Sequence, residues 1–187
     1  MKKLTILVDM DDVLENLCEA WIKYLNIHNG TNVKMSDITD WDITKAFPHI
    51  SREEVFAPLF KPDFWDTVRP KEGAIEYVGR LIDDGHKVIV VTASHPDTVS
   101  CKLNQVLFRY FPCFTYKDVI ISSQKALIKG DILIDDAPHN LIDFDGIGIL
   151  MSANHNIGFD VKGHKIIRKC DWKSIYDDVC FIAKGGI

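Results

Sequence analysis

Asp9, Asp11 and Asp12 stand within four positions at the end of the apolar run LTILV, and Asp135-Asp136 close a second such run, ILI. Thr92 ends the apolar run VIVV, and Lys125 lies ten residues before Asp135. These residue types suit two kinds of chemistry. A carboxylate can attack an electrophilic phosphorus, and clustered carboxylate oxygens can seat a hard cation such as Mg²⁺. Brought together without a proton or a cation among them, the same carboxylates would repel strongly at low dielectric. Taken singly, each has a plainer use. Asp9 and Asp11 could form a turn or a helix N-cap, and Asp12 could cap the following helix. Thr92 is ordinary in a strand, and Lys125 alone reads as a solvated lysine. It is the repetition, acidic residues closing two apolar strands, that favours a site over punctuation.

Such a site needs strands that end side by side. LTILV is a continuous apolar run of strand length, expected of a strand buried on both faces. A helix follows over Glu15 to His28, carried by Leu17, Ala20, Trp21, Tyr24 and Leu25 and stopped at Asn29-Gly30. From Thr31 to Pro70 the chain is rich in Asp, Pro and aromatics, with Ser51 and Glu54 forming a capping box. It reads as an insert of small elements. From Lys71 the alternation resumes: a helix in EGAIEYVGRLIDDG ending at Gly85, a strand in HKVIVVTAS, a helix in PDTVSCKLNQVLFRYF, then strands in DVIIS and DILIDD. GIGILMS and HKIIRKC are expected as edge strands, and DWKSIYDDVCFIAK as a closing helix. Alternating strands and helices imply a mostly parallel sheet with helices on both faces. In such sheets ligands bind at the carboxyl ends of the strands, where Asp9, Asp11, Thr92, Asp135 and Asp136 would converge.

Composition narrows the partners. The 187 residues, 47% of them hydrophobic, suffice for one domain with a real core. A formal net charge of −5 disfavours a nucleic-acid polymer as partner. The five cysteines, Cys18, Cys101, Cys113, Cys170 and Cys180, are scattered without a CxxC pair and are expected to be reduced core residues. The apolar run after Met1-Lys2-Lys3 is too short for a signal peptide, and no stretch approaches a membrane span. A cytoplasmic location is therefore expected, with no membrane partner and with oligomeric state left open.

Asp9-Met10-Asp11-Asp12-Val13, Thr92, Lys125 and Asp135-Asp136 resemble, in order, the four motifs of the haloacid dehalogenase-like phosphatases. Within them the closer resemblance is to the 5′(3′)-deoxyribonucleotidases, and it covers nearly the whole chain. The resemblance implies an α/β fold, a Rossmann-like parallel sheet with helices on both faces and a small inserted helical cap. It frames residues 1–187 as a single hydrolase domain with the cap at roughly 16–70. It implies a Mg²⁺-dependent phosphomonoesterase acting on a small-molecule substrate, a deoxynucleoside monophosphate. Asp9 would be the nucleophile and Asp11 the acid and base. Thr92, Ala93 and Lys125 would hold the phosphoryl group. Asp9, the backbone carbonyl of Asp11 and Asp135 would bind the metal, with Asp136 in support. Trp41 and Trp65 would contact the base, although each could equally belong to the cap's own core. Leu17 and Asp12 depart from the better-known animal members, which carry an aromatic residue and a glycine there.

Other readings weigh less. A non-nucleotide phosphomonoester would use the same machinery. A phospho-accepting receiver domain also combines acids, a Thr, a Lys and Mg²⁺, but takes its phosphoryl group on an aspartate ending a middle strand, where this chain has Thr92. A binding protein with a dead site would be missing a motif position, and none is missing.

Overall fold

The computed structural model describes residues 1–186. Residue 187, the last of the domain expected from the sequence, lies outside the described residues. Six strands form one sheet: β1 (Thr5–Val8), β2 (Lys87–Thr92), β3 (Val119–Ile121), β4 (Ile132–Asp135), β5 (Ile147–Met151) and β6 (Ile166–Lys169). All neighbours are parallel, in the order β3-β2-β1-β4-β5-β6. The chain therefore builds outward from β1 through β2 to β3, then returns to the other side of β1 to lay down β4. The crevice at such a reversal of strand order is where open α/β sheets bind ligands. Val8 faces Val90 on one side and Ile134 on the other. The residues after these strand ends are thus neighbours. β5 lies between β4 and β6 and is not an edge strand. Its burial shows why: Gly148 to Met151 are all buried, so the short run GIGILM is apolar on both faces. The edges are β3 and β6.

Alternation along β1 divides the core. Ile6 and Val8 join the larger apolar cluster, with Val88, Val90, Ile132 and Ile134, while Leu7 joins Ile89, Val91, Leu133 and Leu150 on the opposite face. Helices α1 (Leu17–Asn29), α2 (Arg52–Phe56), α3 (Pro62–Trp65), α4 (Ala74–Asp83), α5 (Pro96–Cys101), α6 (Phe108–Tyr110), α7 (Pro138–Leu141) and α8 (Trp172–Ala183) divide unequally between the faces. The larger cluster takes in residues of α1, α4 and α8, including Trp172, whose indole N–H donates to Val13 O at 2.8 Å. The smaller is covered by Leu141 of α7 with Phe144, Phe159 and Val161 from loops. Gly30, at φ 64°, ends α1 in the left-handed region that glycine enters at little cost.

Between α1 and α4 the chain forms short helical pieces. The capping box at α2 is present: Ser51 accepts from Glu54 N at 3.2 Å and Glu54 accepts from Ser51 N at 3.1 Å. Phe47, Val55, Phe64, Trp65 and Val68 are buried here with Trp21 and Ile22 of α1. The two ends of the insert run side by side, with Asn16 N donating to Arg69 O and Lys71 N to Leu14 O, both at 2.9 Å.

Candidate active site

Asp9 follows β1 directly, and its amide donates to Ile134 O of β4 at 2.9 Å. Its Oδ1 accepts from Met10 N and lies 2.6 Å from Lys125 Nζ, which also reaches Asp135 Oδ2 at 2.9 Å. Asp135 is held further by Ala137 N at 2.8 Å and by the Asn140 amide at 3.1 and 3.2 Å. His155 Nε2 lies 3.2 Å from Asp136 Oδ2, and Asn156 donates to Asp136 O at 2.7 Å. The carboxylates of Asp9, Asp135 and Asp136 each bring an oxygen within 4.8 Å of the others, a group able to hold a metal ion. Asp136 Oδ1 is buried and has no hydrogen-bond partner among the described residues. That orphan suits a further ligand, and an all-oxygen donor set suits a hard divalent cation.

On the β2 side, Asp11 and Thr92 are joined by a residue that the motifs do not mark. Lys102 Nζ donates to Asp11 Oδ2 at 2.7 Å, to Thr92 Oγ1 at 2.6 Å and to Ala93 O at 3.3 Å. Lys102 is 1% exposed. It opens a π-helical stretch, Lys102–Leu107, that continues α5. Such wider turns are rare and concentrate at functional sites. Thr98, Lys102 and Val106 recur every four residues and are all buried, so the lysine occupies an inward helical stripe that only the fold reveals. Glu15, also fully buried, adds a carboxyl whose oxygens have no hydrogen-bond partner among the described residues.

This crowding governs the charges. Burial, then the Asp135 charge, pushes the Asp9 carboxyl well above its ordinary range, with Lys125 pulling the other way. Burial and then the charge of Asp11 do the same to Glu15. Burial and the Asp136 charge raise Asp12 to about 7. Burial alone would lower the Lys125 ammonium, but Asp9 and Asp135 hold it above its usual value. Buried carboxylates outnumber buried lysines, so a bound cation would find its charge already balanced by protein groups.

Above the acids opens a cavity of about 430 Å³. Asp11, Asp12, Ala93 and Asp136 line its floor, and Leu17, Trp21, Ile43, Phe56 and Leu59 its walls, with Trp41 and Arg52 also against it. Two expected base contacts therefore part company. Trp41 borders the cavity and is 56% exposed, whereas Trp65 is buried, its indole N–H donating to Leu59 O at 2.8 Å. Trp65 is a core residue of the insert, packed edge-on against Phe64. Trp21 and Phe56, which line the cavity, were not distinguishable in sequence from ordinary core aromatics. Asp12 takes φ 54° and accepts from Cys18 N at 3.2 Å, so it caps α1 from the left-handed region.

The fold is that of the haloacid dehalogenase (HAD)-like hydrolases. A haloacid dehalogenase-like family hydrolase of Streptococcus pneumoniae superposes with a TM-score of 0.66 at 10% identity, over 95% of this chain and 98% of that one. A HAD-hydrolase of Bacillus subtilis, bound to magnesium, matches with a TM-score of 0.60 at 14% identity over 96% and 99%. The chain belongs to the 5′ nucleotidase, deoxy (pyrimidine), cytosolic type C family, whose model matches residues 2–185. A 5′(3′)-deoxyribonucleotidase of Bacillus subtilis is 35% identical over 176 residues, covering 94% of this chain and 97% of its own length. No helix among the described residues is long and apolar enough to cross a membrane.

Proposed function

We propose that the protein is a Mg²⁺-dependent 5′(3′)-deoxyribonucleotidase of the cytoplasm, with residues 16–70 acting as a cap over the site. One observation carries the reading: a cavity that reaches Asp11 and Asp136, the chain neighbours of Asp9 and Asp135, is also lined by the apolar and aromatic side chains of Leu17, Trp21, Trp41, Ile43, Phe56 and Leu59. A phosphoryl group fits the floor and a nucleoside the walls, where aromatic faces can meet a base. Membership of a deoxyribonucleotidase family supports the same substrate class.

Asp9 attacks phosphorus, forming a Cβ-carboxylate O–P bond as the bond to the nucleoside oxygen breaks. Asp11, held at Oδ2 by Lys102, gives its proton to that oxygen. It then takes a proton from the water that hydrolyses the aspartyl-phosphate. Thr92, the main chain at Ala93 and Lys125 bind the non-bridging oxygens. Lys125 also pulls Asp9 toward its ionised form, against the burial that opposes it. Asp9, the Asp11 main-chain carbonyl and Asp135 would hold Mg²⁺, with Asp136 ordering its waters, and the ion would supply charge neutralisation for the phosphoryl oxygens. Positioning and electrostatics dominate such transfers.

Phosphate release from dUMP, dTMP, dGMP, UMP, a 3′-deoxynucleotide, a hexose phosphate and an aryl phosphate tests the reading, with Asp9→Asn as the blank. The expected result is Mg²⁺-dependent release, faster from deoxynucleotides and absent in the variant. Release from the aryl phosphate alone would overturn the nucleotide assignment and leave a general phosphatase.

A further inference from the structure

Trp41 sits on the insert, yet its indole is engaged by the core. Its ring centroid lies 5.4 Å from that of His139, planes at 86°, and 5.2 Å from that of His155, planes at 78°. Both are edge-to-face contacts of the kind that aromatic pairs favour. The two imidazoles come from different elements, and each element holds one member of the Asp135–Asp136 pair. His139 shares α7 with Asn140, which donates to both carboxylate oxygens of Asp135. His155 lies within 3.2 Å of Asp136 Oδ2 and of Asp136 O, and its neighbour Asn156 ties Asp136 O to Met151 O. Trp41 therefore rests on both supports of the acid pair at once.

We propose that Trp41 is a positioning residue, a latch through which the seating of the insert on His139 and His155 fixes the geometry of Asp135 and Asp136, and so couples cap position to metal affinity. Groups that orient metal ligands without touching the ion alter affinity markedly, by about 10- to 100-fold when removed. Trp41 acts one contact further out, so its effect is smaller. A role confined to stacking on a base would instead leave the acid pair untouched when the site holds no nucleotide.

The test is Mg²⁺ binding by calorimetry on the substrate-free protein, which makes it independent of whether the substrate is a nucleotide. Trp41 is more than half exposed, so Trp41→Ala and Trp41→Phe should both fold, as circular dichroism and urea unfolding would verify. Phe60→Ala is the control. Phe60 also meets a core imidazole edge-on, His95 at 5.3 Å, but that histidine is not among the residues bonded to the acid pair. Expected are a weakening of about 3- to 10-fold in Trp41→Ala, at or below the lower end of that range of about 10- to 100-fold, and less than about twofold change in Trp41→Phe and Phe60→Ala. In a His139→Ala/His155→Ala background, Trp41→Ala should add nothing further, since the route it uses is gone. The proposal is overturned if Trp41→Ala binds Mg²⁺ as the parent does, if Phe60→Ala weakens binding equally, or if the Trp41 effect persists undiminished without the two histidines. A rise in nucleotide KM with unchanged Mg²⁺ affinity would also overturn it and return Trp41 to base stacking.

Discussion

Lys102 has the least obvious assignment of the buried charges and the most specific contacts. A lysine 1% exposed must be paired to stay charged, and this one joins Asp11, Thr92 and Ala93 through one ammonium. It does for the β2 side what Lys125 does for the β4 side. The two ammonium groups differ in what they reach: Lys125 touches Asp9, the proposed nucleophile, and Lys102 touches Asp11, the proposed acid and base. Replacing Lys102 by Met should therefore lower kcat by about 10²-fold or more, the lower end of what general acid–base catalysis contributes, while Mg²⁺ affinity stays near that of the parent. Lys102→Arg should not restore the rate, because a planar guanidinium has different geometry and no room in a buried slot. Steady-state kinetics with a Mg²⁺ titration on each variant checks this. A Lys102→Met enzyme with parental kcat would remove Lys102 from the mechanism.

The loop between β1 and α1 shows the same economy in a short element. Asp12 occupies a left-handed conformation and caps α1 with a carboxyl whose pKa burial and Asp136 raise to about 7. A raised carboxyl favours the folded state below its unfolded value and loses that contribution as pH climbs through the folded one. Asp12→Asn keeps both the cap and the tolerance for positive φ but cannot ionise. The advantage of the metal-free variant over the parent should therefore grow by about 1 kcal/mol or more between pH 5 and pH 8, as urea unfolding at the two pH values would show. Equal gains at both would mean that the charge is not the cause. The element scale is also where the sequence was most and least legible. Strand ends at Asp9, Thr92 and Asp135 could be read because apolar runs that stop at a chemically active residue are local signals, and the order of β1, β2 and β4 in the sheet makes them adjacent. Lys102 and His155 could not, because a lysine in a helix and a histidine in a loop acquire meaning only from the partners the fold brings to them. The insert's aromatics failed for a related reason. Trp41 and Trp65 have equal standing as letters, and only tertiary packing puts one at the cavity and the other in a core. GIGILMS was misjudged as an edge because glycines weaken a strand's pattern, whereas Gly148 is there to make room: a Cβ would meet Leu141 Cβ at 3.2 Å and Ile166 Cγ1 at 3.1 Å.

For the whole molecule, the acid cluster ties stability to pH and to cation. Asp9, Glu15, Asp12 and Asp136 all have carboxyls raised chiefly by burial. In the metal-free protein the folded state holds more protons than the unfolded one from about pH 4 upward, so stability falls as pH rises through the neutral range. Surface carboxyls act oppositely. Hydrogen bonds, from Lys45 to Asp40 and from Lys2 to Asp131, hold these acids below their usual range. Their contribution is present above the unfolded value and lost as pH drops below about 4. The metal-free protein should therefore be most stable near pH 4 and lose stability steadily above it. The proposed Mg²⁺ would replace protons in the same cluster, so its stabilising effect should grow with pH. At a hundred times its Kd, a ligand specific to the folded state adds about 2.7 kcal/mol, roughly 5 to 10 °C in Tm for a chain of this size. Thermal melts from pH 5 to 8.5, with chelator or with saturating Mg²⁺, should show Tm falling with pH in the first series and a much flatter curve in the second. Asp135→Asn should lose most of the separation between the two curves, because it removes one member of the proposed metal seat while leaving a group of the same shape. Parallel curves would mean that the cation binds elsewhere and that the buried acids carry their charge unaided.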